Sequence, residues 1–170
     1  MTPNEKMAFV IGLAKEAMNK GEFPIAAAIY HDDELVSSAY TTERADGRFL
    51  VHAEQKALMN ADMKKLPYSI RTKLELYTNL EPCLMCLGMA ISSFIGEIYF
   101  SLEAPDDGAI KFVSIAFEKR PSKTWHFPKV NGGLLREESI HLFREYVEQN
   151  QNNTEYSAGL IQFAKTLTEL

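Results

Sequence analysis

Cysteine is the scarcest reactive residue in this chain of 170 residues: Cys83 and Cys86 are the only two. Two thiols so close together cannot staple a fold, so a disulfide framework is excluded and a reduced intracellular setting fits better than secretion. Long apolar runs are missing as well. No stretch approaches the roughly 20 residues that cross a bilayer, so no membrane partner is expected. The N-terminal "MAFVIGLA" is followed at once by Lys15 and Glu16 and lies inside a helical pattern, unlike a signal peptide. Excess positive charge is absent too. The net charge is -5 and the pI about 5.4, which argues against sequence-blind attraction to phosphate backbones but leaves room for a local basic patch. Repeats and low-complexity tracts are lacking. What remains is the composition of a cytoplasmic globular protein, 46% hydrophobic and 24% charged, long enough to bury one core unaided.

Thr2, Pro3 and Glu5 form a capping box with proline at the first helical position, and Gly21 marks the stop. Between them Met7, Val10, Ile11, Ala14, Ala17 and Met18 recur at helical spacing. "PIAAAIY" and "ELVSSAY", divided by His31-Asp32-Asp33, are the strands of a hairpin. Thr41 to Val51 reads as a polar, irregular loop, and a helix runs from near His52 to Asn60. "KLELYT" is a strand, Pro82 opens a helix carrying "CLMCLGMAISS", and "EIYFSL" is another strand. Ala104 to Gly133 mixes a short helix over Ile110 to Phe117 with a loop. "LLREESIHLFREYVEQN" is a helix, "QNNT" a hinge, and Ser157 to Leu167 a final helix. Strands alternating with helices after an opening hairpin imply an α/β sandwich with a mixed central sheet.

Cysteine at i and i+3 behind a proline puts two sulfurs on the first turn of a helix, where free N–H groups and the dipole favour thiolate. Such a pair chelates a metal but cannot close a tetrahedral site alone. Any zinc must therefore borrow from His31, His52, His126 or His141, or from a carboxylate. His52 opens a helix with Glu54 two residues on, and His52 with Cys83 and Cys86 makes three ligands, the count that leaves zinc a fourth position for water. Zinc lowers the pKa of that water from about 15.7 toward 7, and Glu54, which ligates nothing, is then placed to act as general acid and base. A structural zinc completed by His31, His126 or His141 is the competing reading, and a lone C-x-x-C also suits redox chemistry.

"HAE" followed by "PCLMC" resembles the zinc-dependent nucleobase and nucleoside deaminases. The likeness extends to "FPIAAAIY", "LYTNLEPCLMCLGMAI", "IGEIYFSL" and "NGGLLREESIHLFREYV", the last being similar to the guanine deaminase and tRNA adenosine deaminase branch. The resemblance implies a three-layer α/β/α sandwich of the cytidine deaminase kind. It implies a deaminase domain over residues 1–149 and a helical extension over 150–170. It further implies one zinc per chain on His52, Cys83 and Cys86, a proton shuttle at Glu54, and hydrolytic loss of ammonia from an amino-bearing ring carbon. Ala53 and Glu81 should face the base through their backbone, with the Glu81 carbonyl receiving the departing amine. Relatives pair, so a homodimer is expected.

Several positions depart from the family. Thr41 stands where many members of this branch carry an asparagine that holds the base, and a hydroxyl cannot offer an amide's paired donor and acceptor. Phe23 is larger than the usual residue before the proline and is placed to stack on a ring. "LEAPDDGA" is closer to guanine deaminases, which makes Asp106 the candidate base contact. The substrate expected is a small purine-like base or nucleoside, guanine-like, with tRNA adenosine or a cytosine-type substrate as alternatives. A zinc-stabilised binding module without turnover is the alternative of another class. Trp125 and His126 read as an anchored loop, with a lid over the pocket as the alternative. The basic runs Lys64, Lys65, Arg71, Lys73 and Lys119, Arg120, Lys123, Lys129 read as solvated surface, which would favour RNA only if both flanked the pocket.

Overall fold

The computed structural model describes residues 1–151 and 158–169. Helix α1 (Pro3–Asn19) begins with the full capping box: the Thr2 hydroxyl accepts from the Glu5 N–H, and the Glu5 carboxylate accepts from the Thr2 N–H. Gly21 follows at φ +81°, a left-handed turn that costs glycine nothing. The hairpin comes next, β1 (Ala26–His31) and β2 (Glu34–Tyr40), with Asp32 at positive φ in its turn. Short α2 (Glu43–Asp46), α3 (Ala53–Asp62) and short α4 (Tyr68–Arg71) lead to β3 (Leu74–Leu80). Then α5 (Leu84–Ser92), β4 (Glu97–Leu102), α6 (Ile110–Lys119), β5 (Lys129–Asn131), α7 (Arg136–Asn150) and α8 (Ala158–Thr168) complete the order.

The strands form one mixed sheet in the order β2-β1-β3-β4-β5. β1 is antiparallel to both neighbours, whereas β3, β4 and β5 run parallel. Period-two alternation along β1 divides the core. Ala26, Ala28 and Tyr30 face Met7, Val10 and Ala14 of α1 and Ile140 and Phe143 of α7. Ala27 and Ile29 face Ala57 and Leu58 of α3 and Leu87 and Ala90 of α5. Small side chains on the central strand let both helical layers close on the sheet, giving the α/β/α sandwich that the element order implies.

Three short elements differ from expectation. The loop from Thr41 to Val51 contains α2, β5 lies in the stretch read as loop before Gly133, and α4 lies between Asn60 and Lys73, where the sequence pattern assigns no element. Each is three or four residues long, too short to establish a hydrophobic period. The "QNNT" hinge falls, apart from Gln151, outside the described residues, and α8 begins at Ala158. Ala164 and Leu167 of α8 are fully buried in the cluster that holds α1 and α7. Trp125 stacks on Phe94 just beyond α5, 5.0 Å between centroids, and His126 lines a separate cavity with Phe94 and Gly96. Both sit beside the start of β4, so the loop is anchored there and is not a lid, although Trp125, read as a buried aromatic, remains 40% exposed. Among the described residues no helix is long and apolar enough to cross a membrane.

Candidate active site

The site forms where β3 ends, at the carboxyl edge of the parallel strands, which is where open α/β sheets bind ligands. Asn79, fully buried near that end, accepts from the Ala26 N–H at 2.8 Å and donates to the Pro24 carbonyl at 2.9 Å. This amide locks the entry of β1, and with it Phe23 and Ile25, beside the segment that carries the cysteines. Cys83 is the N-cap of α5 and Cys86 lies within its first turn, fully buried. His52 is the N-cap of α3, and Glu54, 4% exposed, is in that helix's first turn. Two helix N-termini thus converge on one point, each presenting functional groups where its dipole favours negative charge.

His52 Nδ1 lies 3.6 Å from the sulfur of Cys83 and 3.6 Å from that of Cys86. A tetrahedral zinc with Zn–S near 2.3 Å and Zn–N near 2.0–2.1 Å needs an N···S separation of about 3.6 Å. The donor set therefore fits the metal without rearrangement. Among the described residues this metal-ligating cluster stops at three, His52, Cys83 and Cys86. His31 ends β1 and His141 lies in α7, away from it, so a closed four-ligand site is not what these side chains build.

The electrostatics agree. The Cys83 thiol is pulled down to about 4, chiefly by hydrogen bonding from Cys86 and then from His52. Cys86 is pushed up, first by its hydrogen bond to Cys83 and then by burial. Cysteine binds zinc as thiolate, so metal binding here displaces thiol protons. The His52 imidazole is raised to about 9 by hydrogen bonding to Cys83. Burial lifts the Glu54 carboxyl to about 7, close to the value that serves general acid–base work at neutral pH.

Above these groups lies a cavity of about 280 Å³. The sequence-derived candidates Phe23, Thr41, Glu81 and Asp106 all line it. Thr41 is buried and donates its N–H to the Ile25 carbonyl at 2.9 Å. Phe23 packs edge-on against Tyr146 and tilted against Phe143 and Phe163, so it forms apolar wall. Ala53 is buried in the core and adds no side chain to the cavity. The Glu81 side chain has a structural task, accepting from the N–H groups of Ala104 and Ile110 at 3.2 and 3.1 Å. It ties the β4–α6 loop, with Asp106 and Asp107, to the cysteine segment. Gly108 makes this possible, since a Cβ there would fall 2.5 Å from both the Ala104 carbonyl oxygen and the Glu81 carboxylate.

Sequence reasoning missed Glu43, Asp107, Leu160 and Phe163, which also line the cavity. Glu43 Oε1 stands 3.4 Å from His52 Nε2. Burial raises its carboxyl and the His52 charge draws it back. A sequence signal for Glu43 existed: a metal-bound histidine needs an acceptor for its other nitrogen, and the preceding loop holds a carboxylate. For Leu160 and Phe163, which arrive from α8, there was none.

Known proteins supply the remaining comparison. Residues 2–102 match the cytidine and deoxycytidylate deaminase zinc-binding region. The chain is 34% identical over 141 residues to a tRNA(Ile)-lysidine synthase of Deinococcus radiodurans, covering 82% of this chain but only 23% of that protein. It is 31% identical over 140 residues to a tRNA-specific adenosine deaminase of Bacillus subtilis, covering 81% of this chain and 84% of the relative. Among solved structures, the guanine deaminase of Nitrosomonas europaea superposes with a TM-score of 0.67 at 25% identity, over 85% of this chain and 84% of that one. A metal-ready triad at two helix starts, on this sheet and within this match, has one reading: the chain belongs to the cytidine and deoxycytidylate deaminase family and carries that family's zinc-binding region.

Proposed function

We propose that this chain hydrolyses the amino group of a free, uncharged purine-like base, with guanine as the model substrate. The observation that carries the reading is the charge of the cavity wall. Glu43, Glu54, Glu81, Asp106 and Asp107 line it, and among the described residues no lysine or arginine does. Of these, the Asp106 and Asp107 carboxylates can accept hydrogen bonds from the amino and imino edge of such a base, while Phe23, Leu80, Leu160 and Phe163 supply apolar walls for its faces. A phosphate entering the same space meets like charge in a partly desolvated site, which selects against nucleotides and polynucleotides.

Neither basic run relieves that repulsion. α3 and α6 start beside the cavity and run away from it. Each has ten residues, or about 15 Å of rise. Lys64 and Lys65 follow the far end of α3, and Lys119 and Arg120 lie at the far end of α6. Arg71 is held by Asp62 and Lys129 by Glu97.

Within this reading His52, Cys83 and Cys86 hold zinc, which when bound makes water reactive near neutral pH. Glu54, buried and able to gain or lose a proton there, moves the proton between that water and the base. Thr41 and Asp106 contact the base. Residues 1–149 are the deaminase domain, and the extension 150–170 supplies the Leu160 and Phe163 wall.

Ammonia release from guanine, adenine, cytosine, their nucleosides, GMP and a tRNA anticodon hairpin tests this. Release from guanine or a close analogue, with GMP and the hairpin inert, is the expected pattern. Activity on the hairpin alone would make the chain a tRNA adenosine deaminase, which the Bacillus subtilis relative favours, and would overturn the proposal. No release from any of them would point to a zinc-stabilised binding module.

A homodimer belongs to the same reading. Met59, Met63, Leu84 and Phe112 are 59–72% exposed and belong to, or directly follow, α3, α5 and α6, the helices packed on one side of the sheet. An apolar surface on one layer suits a second copy of the chain. Light scattering should give twice the chain mass; a single peak at monomer mass would refute the pairing.

A further inference from the structure

We propose that Glu43 is a positioning residue for the zinc ligand His52, and that buried Glu22 holds Glu43 in place. An imidazole binds metal through one nitrogen and leaves the other as an N–H donor. Here Nδ1 faces the two sulfurs, and Nε2 faces the Glu43 carboxylate at 3.4 Å. An acceptor behind a metal-bound histidine fixes its tautomer and ring plane and makes it a stronger ligand.

The turn carrying Glu43 is anchored to match. Glu22 is 3% exposed, and its carboxylate oxygens accept from the backbone N–H groups of Arg44 at 2.9 Å and Ala45 at 2.8 Å. These are the free donors at the start of α2, and a carboxylate there satisfies the donors and complements the dipole. On the other side Thr42 Oγ1 accepts from Lys56 Nζ at 2.8 Å and donates to Asp46 at 2.5 Å. Lys56 belongs to α3, the helix that His52 caps, so the turn is tied to the ligand's own helix. A four-residue helix has little stability of its own. Bracing from both sides is what gives Glu43 a fixed position.

The inference rests on the zinc reading and is independent of which base is deaminated, so its test uses zinc affinity. Full-length wild type, Glu43→Gln, Glu43→Ala, Glu22→Gln and the Glu22→Gln/Glu43→Ala double variant are loaded with zinc, which is then competed away with a chromogenic chelator. Removing a partner behind a metal ligand costs about 10- to 100-fold in metal affinity. We expect that loss for Glu43→Ala, a smaller one for Glu43→Gln, which keeps an acceptor oxygen, and a measurable loss for Glu22→Gln. Because Glu22 acts through Glu43, the double variant should be no weaker than Glu43→Ala alone. Circular dichroism identifies any variant that fails to fold, and Glu43→Gln, nearly isosteric, then decides. Zinc affinity within twofold of wild type in folded Glu43→Ala and Glu43→Gln overturns the proposal. So does a loss confined to KM for the base, which would make Glu43 a substrate contact. Additive losses in the double variant overturn the role given to Glu22.

Discussion

Glu54→Gln should lower kcat by roughly 10²- to 10⁴-fold, the usual contribution of a positioned general acid–base group, while zinc stays near one per chain. Glutamine keeps the shape and one acceptor oxygen of the buried carboxylate but cannot exchange a proton. Glu54 lies outside the metal-ligating cluster, so nothing in the substitution removes a zinc ligand. Activity and metal content must therefore separate. Metal analysis alongside ammonia release reads both from one preparation. Full activity in the folded variant would remove Glu54 from the chemistry, and loss of zinc together with activity would make it part of the metal site.

Cys86→Ala should do the reverse at its first step and lose the metal. His52 and Cys83 alone leave zinc two ligands, and the neighbouring sulfur that stabilises the Cys83 thiolate disappears with the substitution. Zinc per chain should fall from one toward zero on desalting. In wild type, added zinc should raise the melting temperature, because a ligand that binds only the folded state stabilises it. In Cys86→Ala that rise should vanish. Stoichiometric zinc retained by the variant would mean that the donor set is different.

These effects rest on residues whose roles could be read from the sequence, for a physical reason. Cys83, Cys86, His52 and Glu54 occupy helix starts, and a helix start is announced locally, by a proline, a cap and the following apolar period. The spacing i, i+3 then fixes direction without tertiary information. The capping box at Thr2 and the hairpin around Asp32 were legible on the same grounds. Asp107 was not, because its value lies in what another segment brings beside it, and for Glu43 the sequence offered only a loop carboxylate ahead of a candidate metal ligand. Phe163 was less legible still. Its neighbours in the sequence describe an amphipathic helix, and only the packing of α8 on α7 turns one side of that helix toward the cavity. Glu22 carries no local signal of its role, because its burial depends on the later turn whose N–H groups it accepts from.

Helix α8 has a double allegiance. Leu160 and Phe163 border the cavity over the metal-ligating cluster, while Ala164 and Leu167, one position and one turn further on, are sealed into the protein's interior. Selectivity and thermal robustness are therefore geared together in eleven residues. A substitution chosen to widen the cavity loosens the same rod that completes the interior, and one chosen to tighten the interior shifts the cavity wall. Leu160, Phe163, Ala164 and Leu167 recur at i, i+3, i+4 and i+7, so opening the cavity to a bulkier ligand would need paired changes along that one face of the helix.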